Sequence, residues 1–290
     1  MPIRFTPSGL LKLQTIGEAI DTDCSVHVLP SGELTLSDKE IKDERPRKWR
    51  SDRRAAASPQ SARSDAAASF GRGRPQEGRT QELAGLGDRY WGATILEMDD
   101  GIWVVAPSEP LGSDGPSVTF AVAVPDDQTL LPKGWAFIKA DGKYRPIGPR
   151  HTNFPHHDVC AYVPDDGTWS RGMPLYVLLN LYSGWAFRHF YLLNFGRWIG
   201  RQIGASALYR RREFQPDEWC GCDNPKRYKD CHMESDVAVP EEQARREHHR
   251  KLGPPDAQRI VPDVIAAFAQ SNFRKAPSIS TLYMSLGFYS

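Results

Sequence analysis

The run Ala93-Thr94-Ile95-Leu96-Glu97-Met98, Asp99-Asp100-Gly101, Ile102-Trp103-Val104-Val105 decides the fold class. Two apolar-rich segments flank an Asp-Gly signal, which is the pattern of a tight antiparallel hairpin. A loop rich in Gly, Pro and Ser follows over 107–116. Val118-Thr119-Phe120-Ala121-Val122-Ala123-Val124 then alternates as a third strand, and Trp135-Ala136-Phe137-Ile138 is predicted as a fourth. Strands in succession joined by short turns imply an antiparallel meander. Downstream, Pro174 suits the first turn of a helix, and Leu175, Leu178, Leu179, Tyr182, Ala186, Phe190 and Leu193 recur every three or four residues. That stripe is expected to lie on the sheet, with Gly196 ending the helix. The aromatics Trp185, Phe187, Tyr191 and Trp198 read as packing. The fold class is therefore α+β.

The 290 residues are 40% apolar and carry 37 basic against 36 acidic side chains, a net of +1. No global field recruits nucleic acid or an anionic membrane, so any such binding would be local. Pro174–Phe195 is the most membrane-like stretch, but Asn180, Ser183, Arg188, His189 and Asn194 interrupt it, and it reads as a core helix. Met1-Pro2-Ile3-Arg4-Phe5 lacks a basic region followed by an apolar run, so no signal peptide is expected. Of five cysteines, three fall within 220–231, which is not the spacing of a secreted disulfide framework and suits reduced thiols in the cytoplasm.

Composition divides the chain. Residues 1–37 form a small N-terminal arm: Leu10, Leu11, Leu13, Ile16 and Ile20 have loose helical spacing, and Pro30-Ser31-Gly32 separates two alternating runs of a hairpin. Residues 38–86 read as a disordered basic linker, because twelve basic and six acidic side chains between Lys39 and Arg79 sit among Ala, Ser, Gly, Pro and Gln. Residues 87–212 hold the meander and helix, 213–236 a cysteine-rich knuckle, and 237–290 a helical tail. In that tail Pro240 to Lys251 and Val261 to Phe268 carry helix signals, and His248 and His249 read as exposed.

Between sheet and helix lies His151-Thr152-Asn153-Phe154-Pro155-His156-His157-Asp158-Val159-Cys160, too rich in Pro and polar residues for a helix. A cysteine nucleophile reacts as thiolate, and His151, His156 and His157 are close enough in sequence to activate it. The alternative is a small buried cysteine opening a strand from Val159 to Val163.

The segment resembles the active site of ubiquitin-conjugating enzymes, where a His-Pro-Asn tripeptide precedes the acceptor cysteine and a Trp follows it. It is most similar to divergent bacterial members found in antiphage defence operons. His151 and Asn153 match the ends of the tripeptide, Thr152 stands in place of its Pro, Cys160 matches the acceptor and Trp169 the later Trp. The resemblance covers about residues 88–200. It implies a ubiquitin-conjugating-like sheet with packed helices, whose usual first helix is missing, degenerate or supplied by residues 8–21. It also implies that Cys160 carries a ubiquitin-like modifier, or the C-terminus of a defence nucleotidyltransferase, as a thioester received from a ubiquitin-activating-like enzyme and passed to an amine on a protein target. Asn153 would donate to the oxyanion or hold the loop; His151, His156, His157 or Asp158 would orient or deprotonate the amine. Two rivals stand beside it: a cysteine hydrolase using Cys160 with a histidine, and a non-catalytic adaptor.

The second constellation is Trp219-Cys220-Gly221-Cys222, then eight residues, then Cys231-His232. Three thiolates and an imidazole are the number and type of ligands in a closed tetrahedral zinc site. Otherwise the stretch is an unmetallated loop or a Cys220–Cys231 disulfide. It resembles the SEC-C motif, a zinc-binding knuckle appended to many bacterial proteins, with Tyr228 matching and Asp223-Asn224 replacing the usual Gly-Ser. With all four positions filled by protein, Cys220, Cys222, Cys231 and His232 would hold a structural zinc.

Overall fold

The computed structural model describes residues 7–21, 25–28, 34–37, 76–108, 116–162, 168–222 and 224–287. A helix, α1 (Pro7–Asp21), precedes a hairpin of β1 (Ser25–Val28) and β2 (Leu34–Ser37). Two short helices, α2 (Gln76–Leu83) and α3 (Leu86–Arg89), lead into β3 (Thr94–Met98), β4 (Gly101–Pro107), β5 (Val118–Pro125), β6 (Lys133–Ala140) and β7 (Lys143–Pro146). These five strands form one antiparallel sheet in sequence order. Helix α2 falls inside the stretch read as linker, and Leu86 of α3 is buried; residues 38–75 lie outside the described residues.

The β3–β4 turn holds only Asp99-Asp100, with Met98 opposite Gly101. Gly101 sits where a Cβ would meet the Val124 carbonyl oxygen at 2.4 Å, so the close approach of β5 requires glycine there. Patterning predicts four strands, and the fifth, β7, occupies a Pro-containing stretch. As an edge strand it tolerates Pro146, which closes it opposite Phe137.

Successive side chains leave a strand on opposite faces, and here both faces are covered. On one, Ile102, Val104, Phe120, Val122 and Ala136 pack against the long helix α4 (Leu175–Phe195), joined by α1 and α3. The helix lies so near the sheet that a Cβ at Gly134 of β6 would stand 2.2 Å from the Tyr182 ring. Leu175, Leu178, Leu179, Tyr182, Ala186 and Phe190 are buried as the stripe predicts, but Leu193, one turn from the end, is 59% exposed. Gly196, at φ 74°, caps the helix with its N–H on the Leu192 carbonyl.

Residues 7–21 form a helix that packs on α4. Leu13 is fully buried, Gly17 lies under the Tyr191 ring, and Asp21 accepts from Arg197 (2.6 Å) and Arg227 (3.1 Å). The N-terminal arm is thus tied both to α4 and to the cysteine-rich knuckle.

On the other face, Trp103, Val105, Trp135 and Phe137 project past the small Ala121 and Ala123. They meet α8 (Asp263–Gln270) and α9 (Ile279–Ser285), which follow α5 (Ala207–Glu213), α6 (Met233–Ala238) and α7 (Glu241–Leu252). Phe268 stands edge-on to Trp103 at 4.9 Å, and the Trp103 indole donates to the Pro277 carbonyl (2.8 Å). Asp100, in the first hairpin turn, accepts from Ser278 Oγ (2.8 Å) and from Ser280 N and Oγ (2.7 Å each), pinning the start of α9. The helical tail is therefore a third layer and not an appendage. His248, expected on an exposed helix face, is 2% exposed and lies edge-on to Phe154 at 5.9 Å.

Candidate functional site

The cysteine segment is held by the sheet. β7 pairs with the second half of β6, and the chain beyond it supplies hydrogen bonds to the first half: Ile147 N to the Ala136 carbonyl (2.9 Å) and Val159 N to the Gly134 carbonyl (2.8 Å). Between those attachments the loop folds back on itself. Thr152 bridges to Val159, Asn153 N donates to the Asp158 carbonyl (2.7 Å), and Cys160 N donates to the His151 carbonyl (3.0 Å). The structure brings His151, Asn153 and Cys160 together by this closure. Only Val159 of the expected Val159–Val163 strand pairs, and residues 163–167 lie outside the described residues. His151 and His157 take left-handed conformations (φ 51° and 60°), uncommon for residues with a Cβ and typical of over-determined loops.

Cys160 is half-buried on the wall of a cleft of about 310 Å³, shared with His151, Asn153, Tyr162, Trp185 and Trp198. Burial pushes its thiol pKa up, Asp158 adds to that, and Arg259 and Lys133 oppose it. The expectation that nearby histidines lower this pKa is not met. His151 is enclosed: its Nε2 lies 3.0 Å from Gln202 Oε1, its ring centroid is 4.4 Å from that of Trp198, and burial pulls its pKa well down. His157 spans the Ile147 carbonyl (2.9 Å) and the Arg259 carbonyl (3.1 Å), fastening the loop to the tail. Asn153 donates to Asp158 Oδ2 (2.8 Å), which also accepts from Lys133 Nζ (2.9 Å). One of the two amide N–H groups of Asn153 is thereby occupied. Trp169 is buried against Tyr162, ring centroids 5.6 Å apart.

Several residues here have no signal in local sequence. Gln202 Oε1 faces both Arg150 Nη2 (2.9 Å) and His151 Nε2, while its Nε2 donates to the Trp219 carbonyl (2.8 Å). That last bond fixes the amide orientation, so Oε1 accepts and His151 donates. Arg150 forms a doubly hydrogen-bonded pair with Glu218, which is fully buried and also accepts from Trp198 N (2.6 Å). Arg259 stacks on Phe154 at 4.0 Å, pairs with Glu213 (3.2 Å) and donates to the Pro149 carbonyl (2.6 Å).

The second constellation lies directly beyond Glu218. Tyr228 N returns to the Glu218 carbonyl (2.8 Å) and Cys220 N to the Lys226 carbonyl (3.0 Å), closing a tight loop that faces Cys231-His232. His232 Nδ1 is 3.0 Å from Cys220 Sγ and 3.3 Å from Cys231 Sγ, Cys222 and Cys231 sulfurs are 3.5 Å apart, and the four ligand atoms lie within 4.8 Å of one another. Tetrahedral bonds of ~2.3 Å place sulfurs ~3.8 Å apart, so the cluster could hold a metal ion. All four cysteines among the described residues are free thiols, so no Cys220–Cys231 disulfide forms. Burial, then the neighbouring Cys231 and Cys222, push the Cys220 thiol up to about 12, a repulsion that a divalent cation reverses. The adjacent basic residues are paired: Arg210 with Asp236 (2.5 Å), Arg211 with Glu241 (3.1 Å), and Arg227 with Asp21 while stacked on Trp219 at 4.3 Å.

No helix among the described residues is long and apolar enough to cross a membrane. Searches of family models, curated proteins and solved structures find no match to this chain.

Proposed function

We propose that the protein is a cytoplasmic ubiquitin-conjugating-like acyl carrier with a structural zinc knuckle of the SEC-C type. The supporting observation is that Cys160 is hydrogen-bonded across a loop closure to His151, beside Asn153, and opens onto a cleft lined by its own loop, by α4 and by the segment after it. The carried group is a ubiquitin-like modifier, or the C-terminus of a defence nucleotidyltransferase, delivered by a ubiquitin-activating-like enzyme.

In loading, Cys160 Sγ attacks the modifier's thioester carbonyl on the activating enzyme. The new C–S bond forms, the old one breaks, and the Cys160 proton goes to the departing thiolate. In transfer, a target amine attacks the Cys160 thioester, Cys160 leaves as thiolate, and the amine's proton returns to it. The second N–H of Asn153 would donate to the oxyanion, while its other N–H and the backbone hold the loop. His151, half-buried and with its pKa lowered, positions the loop through Gln202.

A raised thiol pKa suits this chemistry better than hydrolysis. A carrier exchanges one thioester for another and needs a reactive acyl bond, whereas a cysteine hydrolase needs a resting thiolate with an imidazolium beside it. Cys220, Cys222, Cys231 and His232 would hold zinc with no open position, so the metal cross-links the knuckle and leaves Glu218 and Trp219 to brace the loop.

Incubation with an activating enzyme, ATP and a ubiquitin-like protein tests the reading. The expected product is an adduct cleaved by reducing agent and lost in Cys160→Ala. Peptide turnover without such an adduct would establish a hydrolase instead. An unchanged cellular phenotype in Cys160→Ala, with loss in Cys220→Ala, would establish an adaptor.

A further inference from the structure

The lining of the cleft at Cys160 is asymmetric in charge. Arg188, Arg201 and Arg259 line it, and no carboxylate does so among the described residues. Arg259 is already paired with Glu213. Arg188, from the middle of α4, makes no hydrogen bond or ion pair among the described residues, and its Nε is wholly enclosed without a partner. Burial lowers its pKa, the sign of a cation that the surrounding protein does not compensate.

An unpaired guanidinium is a costly thing to bury, and protein interiors supply such groups with a partner. Among the described residues no such partner stands beside Arg188. The planar fork of an arginine matches a carboxylate through two parallel hydrogen bonds. A single unoccupied fork in a cleft also lined by Trp185 and Trp198 fits one carboxylate on an otherwise uncharged chain; a phosphate dianion calls for more unpaired donors than the cleft offers. The volume lies at the lower end of the range for small-ligand sites, enough for the end of a peptide.

We infer that this cleft recognises an acidic side chain near the end of the polypeptide that Cys160 carries, with Arg188 as its counter-ion. The inference deepens the carrier reading and rests on it only for the identity of that polypeptide. The modifier would be one whose C-terminal segment bears an Asp or Glu close to its last residue.

The full-length protein is titrated with N-acetyl-Asp-Gly-glycinamide and with the Asn isostere, following fluorescence of the cleft tryptophans. The acidic peptide is expected to bind at least about tenfold more tightly, the size of one charge-assisted hydrogen bond. Arg188→Gln equalises the two, and Arg188→Lys keeps part of the preference. Because the free protein encloses the Arg188 Nε without a partner, Arg188→Gln should raise the melting temperature, whereas a merely structural arginine would lower it. Equal binding of the two peptides, a preference that survives Arg188→Gln, or tighter binding of inorganic phosphate would overturn the inference. Thioesters of the same peptides separate it from the carrier reading. Discriminating binding without acylation of Cys160 leaves the acidic-tail site standing and removes the carrier function. Acylation at equal rates, with equal binding, does the reverse.

Discussion

The knuckle and the cysteine loop differ in how far apart their parts lie. The four metal-binding candidates span residues 220–232 and face one another through hydrogen bonds no longer than a dozen residues in reach. The cysteine loop spans ten residues, but what orients it comes from afar: Glu218 is 68 positions from Arg150, and Arg259 is 110 from Pro149. One is a local motif whose ligands identify it. The other is an assembly in which the named residues are the least of the support. Gln202 and Glu218 join the two, so the local motif acts as a buttress for the dispersed one.

The greatest effect tests the local half. Zinc removal by a chelator, or Cys220→Ser, should abolish one bound zinc per chain and forfeit most of the ~10–16 kcal/mol such sites supply at neutral pH. Hydrogen exchange should then show lost protection over 218–232 while the sheet stays protected. Simultaneous loss over β4–β6 would mean that the two halves are not separable. Next, Glu218→Ala strips Arg150 of its buried carboxylate and should cost about 3–5 kcal/mol in urea unfolding. Alkylation of Cys160 should change with it, because Arg150 and Gln202 hold His151. A fully stable variant would show that the buttress carries no load.

The smallest effect is one of pH. Burial pulls His189 down to about 4, against its hydrogen bond to the Arg150 carbonyl, and pulls His151 well down too. Unfolded, each titrates near 6.5. Below that value the unfolded chain binds more protons than the folded one, so stability is complete above it and falls as the solution is acidified. For His189 the window runs from 6.5 to about 4 and the loss approaches about 3 kcal/mol at its lower end. The melting temperature should drop between about pH 7 and about pH 5, and His189→Gln should flatten that slope. An unaltered slope would place the acid sensitivity elsewhere.

The Asp-Gly turn between two apolar runs was enough to read β3 and β4, alternation to read β5, and the run Trp135–Ile138 to read β6. β7 was hidden by its proline and by its lysine and arginine. The apolar run Ile102-Trp103-Val104-Val105 did carry the sign of a strand buried on both faces, yet what covers the second face comes from α8 and α9, more than 150 residues downstream. Exposure of Leu193 and burial of His248 went the other way from their helical spacing, because neighbouring elements and not periodicity decide which turn is covered. At the candidate site, Cys160 could be singled out from residue type and its neighbouring histidines, and Asn153 and His151 through the family resemblance. Arg150, Gln202, Glu218, Arg188 and Arg259 could not, since an ion pair across the fold leaves no periodic trace.

The pinning of α9 by Asp100 has a consequence for synthesis. The tryptophan-lined face of β4 to β6 emerges from the ribosome well before its cover. At 5–20 residues per second, roughly ten seconds or more separate the two. During that interval an aromatic sheet surface is open to other nascent chains, and Asp100 waits with its acceptors unfilled until Ser278 and Ser280 arrive. Completion of this face is thereby timed by α8 and α9.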